Sequence, residues 1–355
     1  MNGSDINDKR VQKEFNGISF SGYKKTEVKK SLIKEILAGK IEQGNYWACE
    51  LICAGHFADL WEIILTIASK HIHHGNPKLP IYLEMRMENF KDIVSNGYID
   101  NEIKLRNNTK IRRLFSEIIC ILCFSQKKHS YDSIKITKEE FNIADINYKL
   151  KADSLDYIKP IFMKDDPKEC FIAGNELAYC LSSQSKNTND ACYWTEWISE
   201  FETICKKKKQ QIMCERRSNI PVKSKDQMDL IWMVWDIILN ESIKRNTLIK
   251  RIIKSLLSLF CLKYTNSNKK KRKYIIYYAI ALLTENVDFS ISLHNNPDII
   301  KNVQDKLDII YKQVKKNEVK PETDYLFNNV AKSNFDKSLE RLEKMNNATF
   351  IPRNN

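Results

Sequence analysis

Apolar positions along this chain recur at three- and four-residue intervals, the period of an α-helix with one buried face. Val28, Leu32, Ile36 and Leu37 mark a first helix, capped by Thr26 and stopped at Gly39. Residues 42–54 read as a second, closed by Gly55. Residues 57–71 form a third, with Leu60, Ile63, Ile64, Ile67 and Ala68 on one face. Asn76-Pro77 opens a fourth through Leu79, Leu83, Met87 and Phe90, because a cap residue followed by proline at the first helical position is a start signal. After an irregular stretch, residues 111–124 form an apolar helix, and residues 137–140 have capping-box spacing. Asp166-Pro167 repeats the start signal, with Asp166 as cap, for a helix through Phe171, Leu177 and Leu181. Further helices fall at 191–205, 228–239, 248–264 and 274–285. Asn296-Pro297 opens a last one, with Ile300, Val303, Leu307 and Ile310 in register.

The pattern predicts an all-α fold of two helical modules. A polar flexible arm occupies 1–20, the first module 21–144, a linker 145–165, the second module 166–331 with a basic insert at 206–227, and a polar tail 332–355. Composition agrees. Nine Gly and eight Pro in 355 residues are few for a β-sandwich or for nucleotide-binding loops. The longest clean apolar run, residues 275–283, is far shorter than the roughly 20 residues that span a bilayer, so no membrane partner is expected. Ten Cys without a regular framework, behind a polar N-terminus, point to reduced thiols in a cytoplasmic or nuclear setting.

Two stretches look alike and are collinear. Tyr46-Trp47 compares with Tyr193-Trp194, and Trp61-Glu62-Ile63-Ile64-Leu65 with Trp235-Asp236-Ile237-Ile238-Leu239. This suggests an internal duplication whose second copy is split by the basic insert. Tyr46, Trp47, Trp61, Tyr193, Trp194 and Trp235 lie within helical apolar periodicity, which makes them core anchors rather than base-stacking residues.

Residues 29–83 contain Lys30-Ser31-Leu32, then Gly39 leading to Tyr46-Trp47-Ala48-Cys49-Glu50-Leu51, Gly55, Ala68-Ser69 with Ile72, and Asn76-Pro77-Lys78-Leu79. In that order these resemble the C-terminal helical region of clamp-loader-related AAA+ ATPases of the replication-associated recombination, or Werner-helicase-interacting, family. The resemblance implies a collar-like helical bundle and assembly with itself or with replication proteins. Two departures qualify it. Lys70-His71 replaces the acidic pair usual in the Ala-Ser segment, and no GxxxxGK[ST] phosphate loop occurs anywhere, so the collar would stand without its motor. The whole chain, rich in Lys, Asn and Ile, also resembles uncharacterised proteins of large DNA viruses.

Candidate chemistry is sparse. Cys49, Cys53, His56, His71, His73 and His74 have the residue types of a zinc site. However, Cys49 and Cys53 fall on an apolar helix, where Cys is an ordinary buried residue. Cys120 and Cys123 form a CxxC inside an apolar run and read as buried thiols. Glu196, Glu200 and Glu202 with Asp226 and Asp229 form no recognisable acid–base set, and no nucleophile elbow or triad order is present. No catalytic residue and no cofactor is therefore expected.

The net charge of +13 changes the picture most, although AT-rich coding also produces Lys. Lys206, Lys207, Lys208 and Lys209, Arg216 and Arg217, and the loop Lys269, Lys270, Lys271, Arg272 and Lys273 flank the helices of the second module, where they would converge on one face. A further cluster is Arg106, Lys110, Arg112 and Arg113. Such a face binds phosphate without reading sequence. The sequence therefore favours a non-catalytic accessory factor of DNA replication or repair, with weak, sequence-independent nucleic-acid contact. A structural or virion-assembly protein is the alternative, and an enzyme using the His/Cys cluster a second.

Overall fold

The computed structural model describes residues 3–99, 102–142, 146–294 and 296–319. Among these the fold is all-α, with no strand and one isolated bridge between Ile18 and Lys24. The expected tail, 332–355, lies outside the described residues.

The first half comprises α1 (Lys25–Leu37), α2 (Ile41–Cys53), α3 (Phe57–Ile67), α4 (Leu79–Ser95) and α5 (Thr109–Phe124). The second comprises α6 (Phe171–Leu181), α7 (Thr188–Lys207), α8 (Ile231–Ile243), α9 (Thr247–Cys261), α10 (Asn266–Lys271) and α11 (Lys273–Thr284). Two short helices follow, α12 (Pro297–Asp305) and α13 (Leu307–Lys315). Gly39 and Gly55 end α1 and α2 at φ 72° and 74°, the left-handed conformation expected of glycine stops.

α2 packs against α1, α5 and α13, and α6 against α7 and α8. The halves are not separate bodies. α9 lies on α4, α11 reaches α3, and one continuous apolar core runs through both. Polar ties cross the same seam. Ser255 Oγ and Arg251 both donate to Glu84 at 2.8 Å, and Arg272 pairs with Glu62.

Several expectations change. Residues 3–20 are docked rather than forming a loose arm: Phe15 and Phe20 are fully buried and stack at 5.9 Å. Arg106 and Arg112 explain this. Arg106 donates to the Asp8 carbonyl, while Arg112 donates to Ser4 and lies 3.8 Å over the Tyr311 ring of α13. They hold the first residues rather than a phosphate. The expected linker, over its described residues 146–165, is also partly buried, with Ile158 and Ile161 in the core. Asp166 caps no helix through its side chain. It is buried against Arg217, a partner that local sequence could not reveal. The basic run 269–273 is helical, divided between α10 and α11. Asn76 does not cap α4; its amide donates to Ser125 Oγ and to the Leu293 carbonyl.

The aromatic anchors separate by depth. Trp61, Trp194 and Trp235 are buried, each worth several kcal/mol of apolar transfer by order of magnitude, about 2–4. Tyr46, Trp47 and Tyr193 are half-buried. Both Tyr-Trp pairs meet edge to face, at 5.3 Å in α2 and 5.2 Å in α7.

Candidate functional site: a lysine-lined cleft

The C-terminal half of α7 and the pair α10–α11 face one another across a cleft of about 510 Å³. Lys206 and Lys207 line one wall, and Lys269, Lys270 and Lys273 the other. Two basic runs distant in the sequence therefore meet. Spacing explains the first wall. Thr195, Ser199, Glu202, Thr203 and Lys206 recur at three- and four-residue intervals and share one helical face. Ile231 and Ile276 supply apolar surface within.

Carboxylates organise the interior. Glu202 accepts from Lys206 and Lys269, each at 2.6 Å, and Lys269 also lies 3.6 Å from Asp229. Burial pushes the Glu202 carboxyl up, but Lys269 and Lys206 outweigh it and hold it below its ordinary range. Glu196 lies 3.5 Å from Lys273 and accepts from the Tyr277 hydroxyl at 2.7 Å. Burial, joined by the Glu196 carboxylate, raises the Tyr277 phenol and keeps it neutral. The hydroxyls of Thr195, Ser199 and Thr203 all donate to carbonyls one turn earlier. The cleft thus holds fixed, paired charges with apolar surface between them.

The uncompensated charge sits at the rim and beyond it. Lys208, Lys209, Lys270 and Lys271 are exposed and pair with no carboxylate among the described residues, and Lys207 pairs loosely, no nearer than 4.0 Å to Glu200. Lys208 and Lys209 continue from the end of α7, where Lys209 turns the chain at φ 58°.

Three of the eleven cations expected to meet phosphate are structural instead. Arg217 has a fully buried side chain, bonded to Asp166 at 2.5 and 2.7 Å and to Asp236 at 2.7 Å. Its guanidinium stays charged because the two carboxylates outweigh burial. At Asp236 burial prevails over Arg217 and raises the carboxyl. Arg272 is buried on Glu62 and on the carbonyls of Phe260 and Leu262, and Lys269 is buried on Glu202. Arg216 is exposed but does not line the cleft. The residues that sequence reasoning missed are Glu196, Glu202 and Asp229. Glu202 lies one helical turn before Lys206 on α7, a local signal; Asp229, just ahead of α8, reaches Lys269 only through tertiary packing.

A second cleft, of about 490 Å³, has Asp153, Asp156 and Glu241 against Lys244 and is unsuited to phosphate.

The His/Cys cluster is dispersed. Cys49 and Cys53 lie 3.7 Å apart in the core, where burial raises the Cys49 thiol far above its ordinary value. His56 is held by the Ile18 carbonyl and His71 by Ser130, so neither joins them. Cys120 and Cys123 are buried, with their thiols pushed up to about 11 and about 12 by desolvation. Among the described residues no helix is long and apolar enough to cross a membrane. No family model, curated protein or solved structure matches this chain.

Proposed function

We propose that this chain is a non-catalytic accessory or assembly factor of DNA replication or repair that holds nucleic acid through lysine–phosphate contacts at the cleft rim. One observation supports the reading above the rest: Lys206–Lys207 and Lys269–Lys270 come together across one cleft, and the lysines beside them carry no internal partner. Glu202 draws Lys206 and Lys269 together, and Lys207, Lys208, Lys270 and Lys271 beside them add the charge that is left for phosphate. Phosphate contact neutralises charge and releases condensed counterion without reading bases, so binding is weak, sequence-independent and salt-sensitive. The collar-like resemblance of residues 29–83 adds self-assembly or assembly with replication proteins to this reading.

Fluorescence anisotropy with single-stranded and duplex oligonucleotides of two unrelated sequences tests it. Both sequences should bind alike, and log affinity should fall linearly with log salt, by about 0.7–0.9 per phosphate contact. Replacing Lys207, Lys208, Lys270 and Lys271 with Ser should weaken both sequences equally and flatten the slope. Stability should stay within about 0.5 kcal/mol per substitution, because these side chains are solvated. An unchanged slope, or no binding at low salt, would move the virion-assembly reading to first place.

A further inference from the structure

The rim lysines account for phosphate but leave the cleft between them without an occupant. Its interior and its mouth differ in charge. Inside, Glu202 takes Lys206 and Lys269 at 2.6 Å each, and Glu196 lies 3.5 Å from Lys273. The deep cations are thus neutralised, and the carboxylates repel a phosphate that moves inward. At the mouth stand Lys207 on one wall, loosely paired at 4.0 Å, and Lys270 on the other, with no carboxylate partner among the described residues. A phosphate backbone is therefore drawn to the mouth and kept out of the interior.

The interior offers a different chemistry. Ser199 and Thr203 donate their hydroxyl protons to carbonyls one turn earlier, each at 3.0 Å, and each oxygen keeps lone pairs for a second bond. Glu200, loosely held by Lys207 and with its side chain 38% exposed, adds carboxylate oxygens. These acceptors line the cleft beside Ile231, Ile276 and the aliphatic stems of the lysines. Acceptors set beside aliphatic surface complement a flat ring that carries N–H groups on its edge. The volume of about 510 Å³ is that of a small-molecule pocket and cannot admit a double helix.

We propose that the cleft takes one unpaired nucleobase, with the flanking phosphates on Lys207 and Lys270, so that the ligand is single-stranded nucleic acid. The proposal rests on the lysine–phosphate reading above and narrows it. Each of the four bases has at least one N–H on its Watson–Crick edge, so acceptors of this kind hold any of them and binding stays sequence-independent. In a duplex those N–H groups are consumed by pairing, and exposing one costs unpairing and unstacking. Among the described residues no aromatic ring lines the cleft, so the base is held at its edge rather than stacked, and the gain is modest in size. The direction of the effect is diagnostic. Phosphate contact alone favours the duplex, whose charge density is higher and which releases more counterion per contact. A base in the cleft reverses that order.

The test titrates the full chain by fluorescence anisotropy, at one low salt concentration, with three oligonucleotides of equal length: a single strand, the duplex made from it, and a strand of abasic sugars. The single strand should bind at least about fivefold tighter than either of the others. Ser199→Phe fills the cleft from a half-buried position on α7 and removes no charge. It should bring the single strand to the duplex value and leave duplex affinity and its salt slope unchanged. The abasic comparison needs no substitution, so it decides the matter if that variant misfolds. The proposal is overturned if the duplex or the abasic strand binds as tightly as the single strand, or if folded Ser199→Phe keeps the single-strand advantage. In each of those outcomes phosphate contact at the rim still stands. Binding of none of the three at low salt would instead overturn the lysine–phosphate reading itself, and this proposal with it.

Discussion

Trp61-Glu62 in α3 and Trp235-Asp236 in α8 share a sequence pattern, and their surroundings match further than the sequence does. Each indole is buried with its nitrogen unpartnered, and each following carboxylate pairs with a buried arginine. The partners differ. Glu62 reaches across the seam to Arg272, which joins the halves. Asp236 stays within the second half, where Arg217 from the insert also takes Asp166. One local motif thus serves an inter-half tie in one place and an anchor for an insert in the other. The helix ends contrast as well. In the first half Gly39, Gly55 and Gly97 take positive φ; in the second Lys186, Lys209 and Lys263 do so at 46°, 58° and 41°.

The largest effect is expected at Arg217. Arg217→Ala leaves Asp166 and Asp236 buried without their cation and should cost about 3–5 kcal/mol in urea denaturation. A cost below about 1 kcal/mol would mean that the insert is not anchored there. Arg272→Ala should cost somewhat less, about 2–3 kcal/mol, because Glu62 retains some solvent. It should also loosen the seam, read as faster hydrogen exchange in both α3 and α11. Exchange confined to α11 would break the comparison by removing the inter-half role.

Acidification acts on the cleft. The folded Glu202 carboxyl lies below its ordinary value of 4.5, so in that window the unfolded chain binds more protons than the folded one. The stability from its pairs with Lys206 and Lys269 is present above that range and is lost as pH falls through the folded value. Glu202→Gln should flatten this part of the stability–pH curve, and an equal slope in both proteins would refute the assignment. The smallest effect concerns the helix ends. Lys209→Gly should raise stability by about 0.5–1 kcal/mol, since glycine adopts positive φ without the Cβ penalty. An unchanged melting temperature would show that the lysine is not strained.

The helical class, most helix positions and the glycine stops were legible in the sequence, because periodicity and cap chemistry are local. Trp61, Trp194 and Trp235 were legible as core for the same reason. The lysine runs were legible as charge and as candidates to converge. What could not be read locally was which cations keep their charge free. Arg217 and Arg272 look like Arg216 and Lys271 in the text, and only carboxylates brought from Asp166, Asp236 and Glu62 distinguish them. The histidines show the same limit. Sequence proximity grouped His71, His73 and His74 with Cys49 and Cys53, whereas the structure sends the thiols into the core and turns His73 and His74 toward Tyr131 and Tyr278. Burial and pairing depend on what distant segments deliver to a point in space. The sequence by itself therefore determined the helices and the supply of charge, and tertiary packing decided which charges hold the fold and which remain solvated.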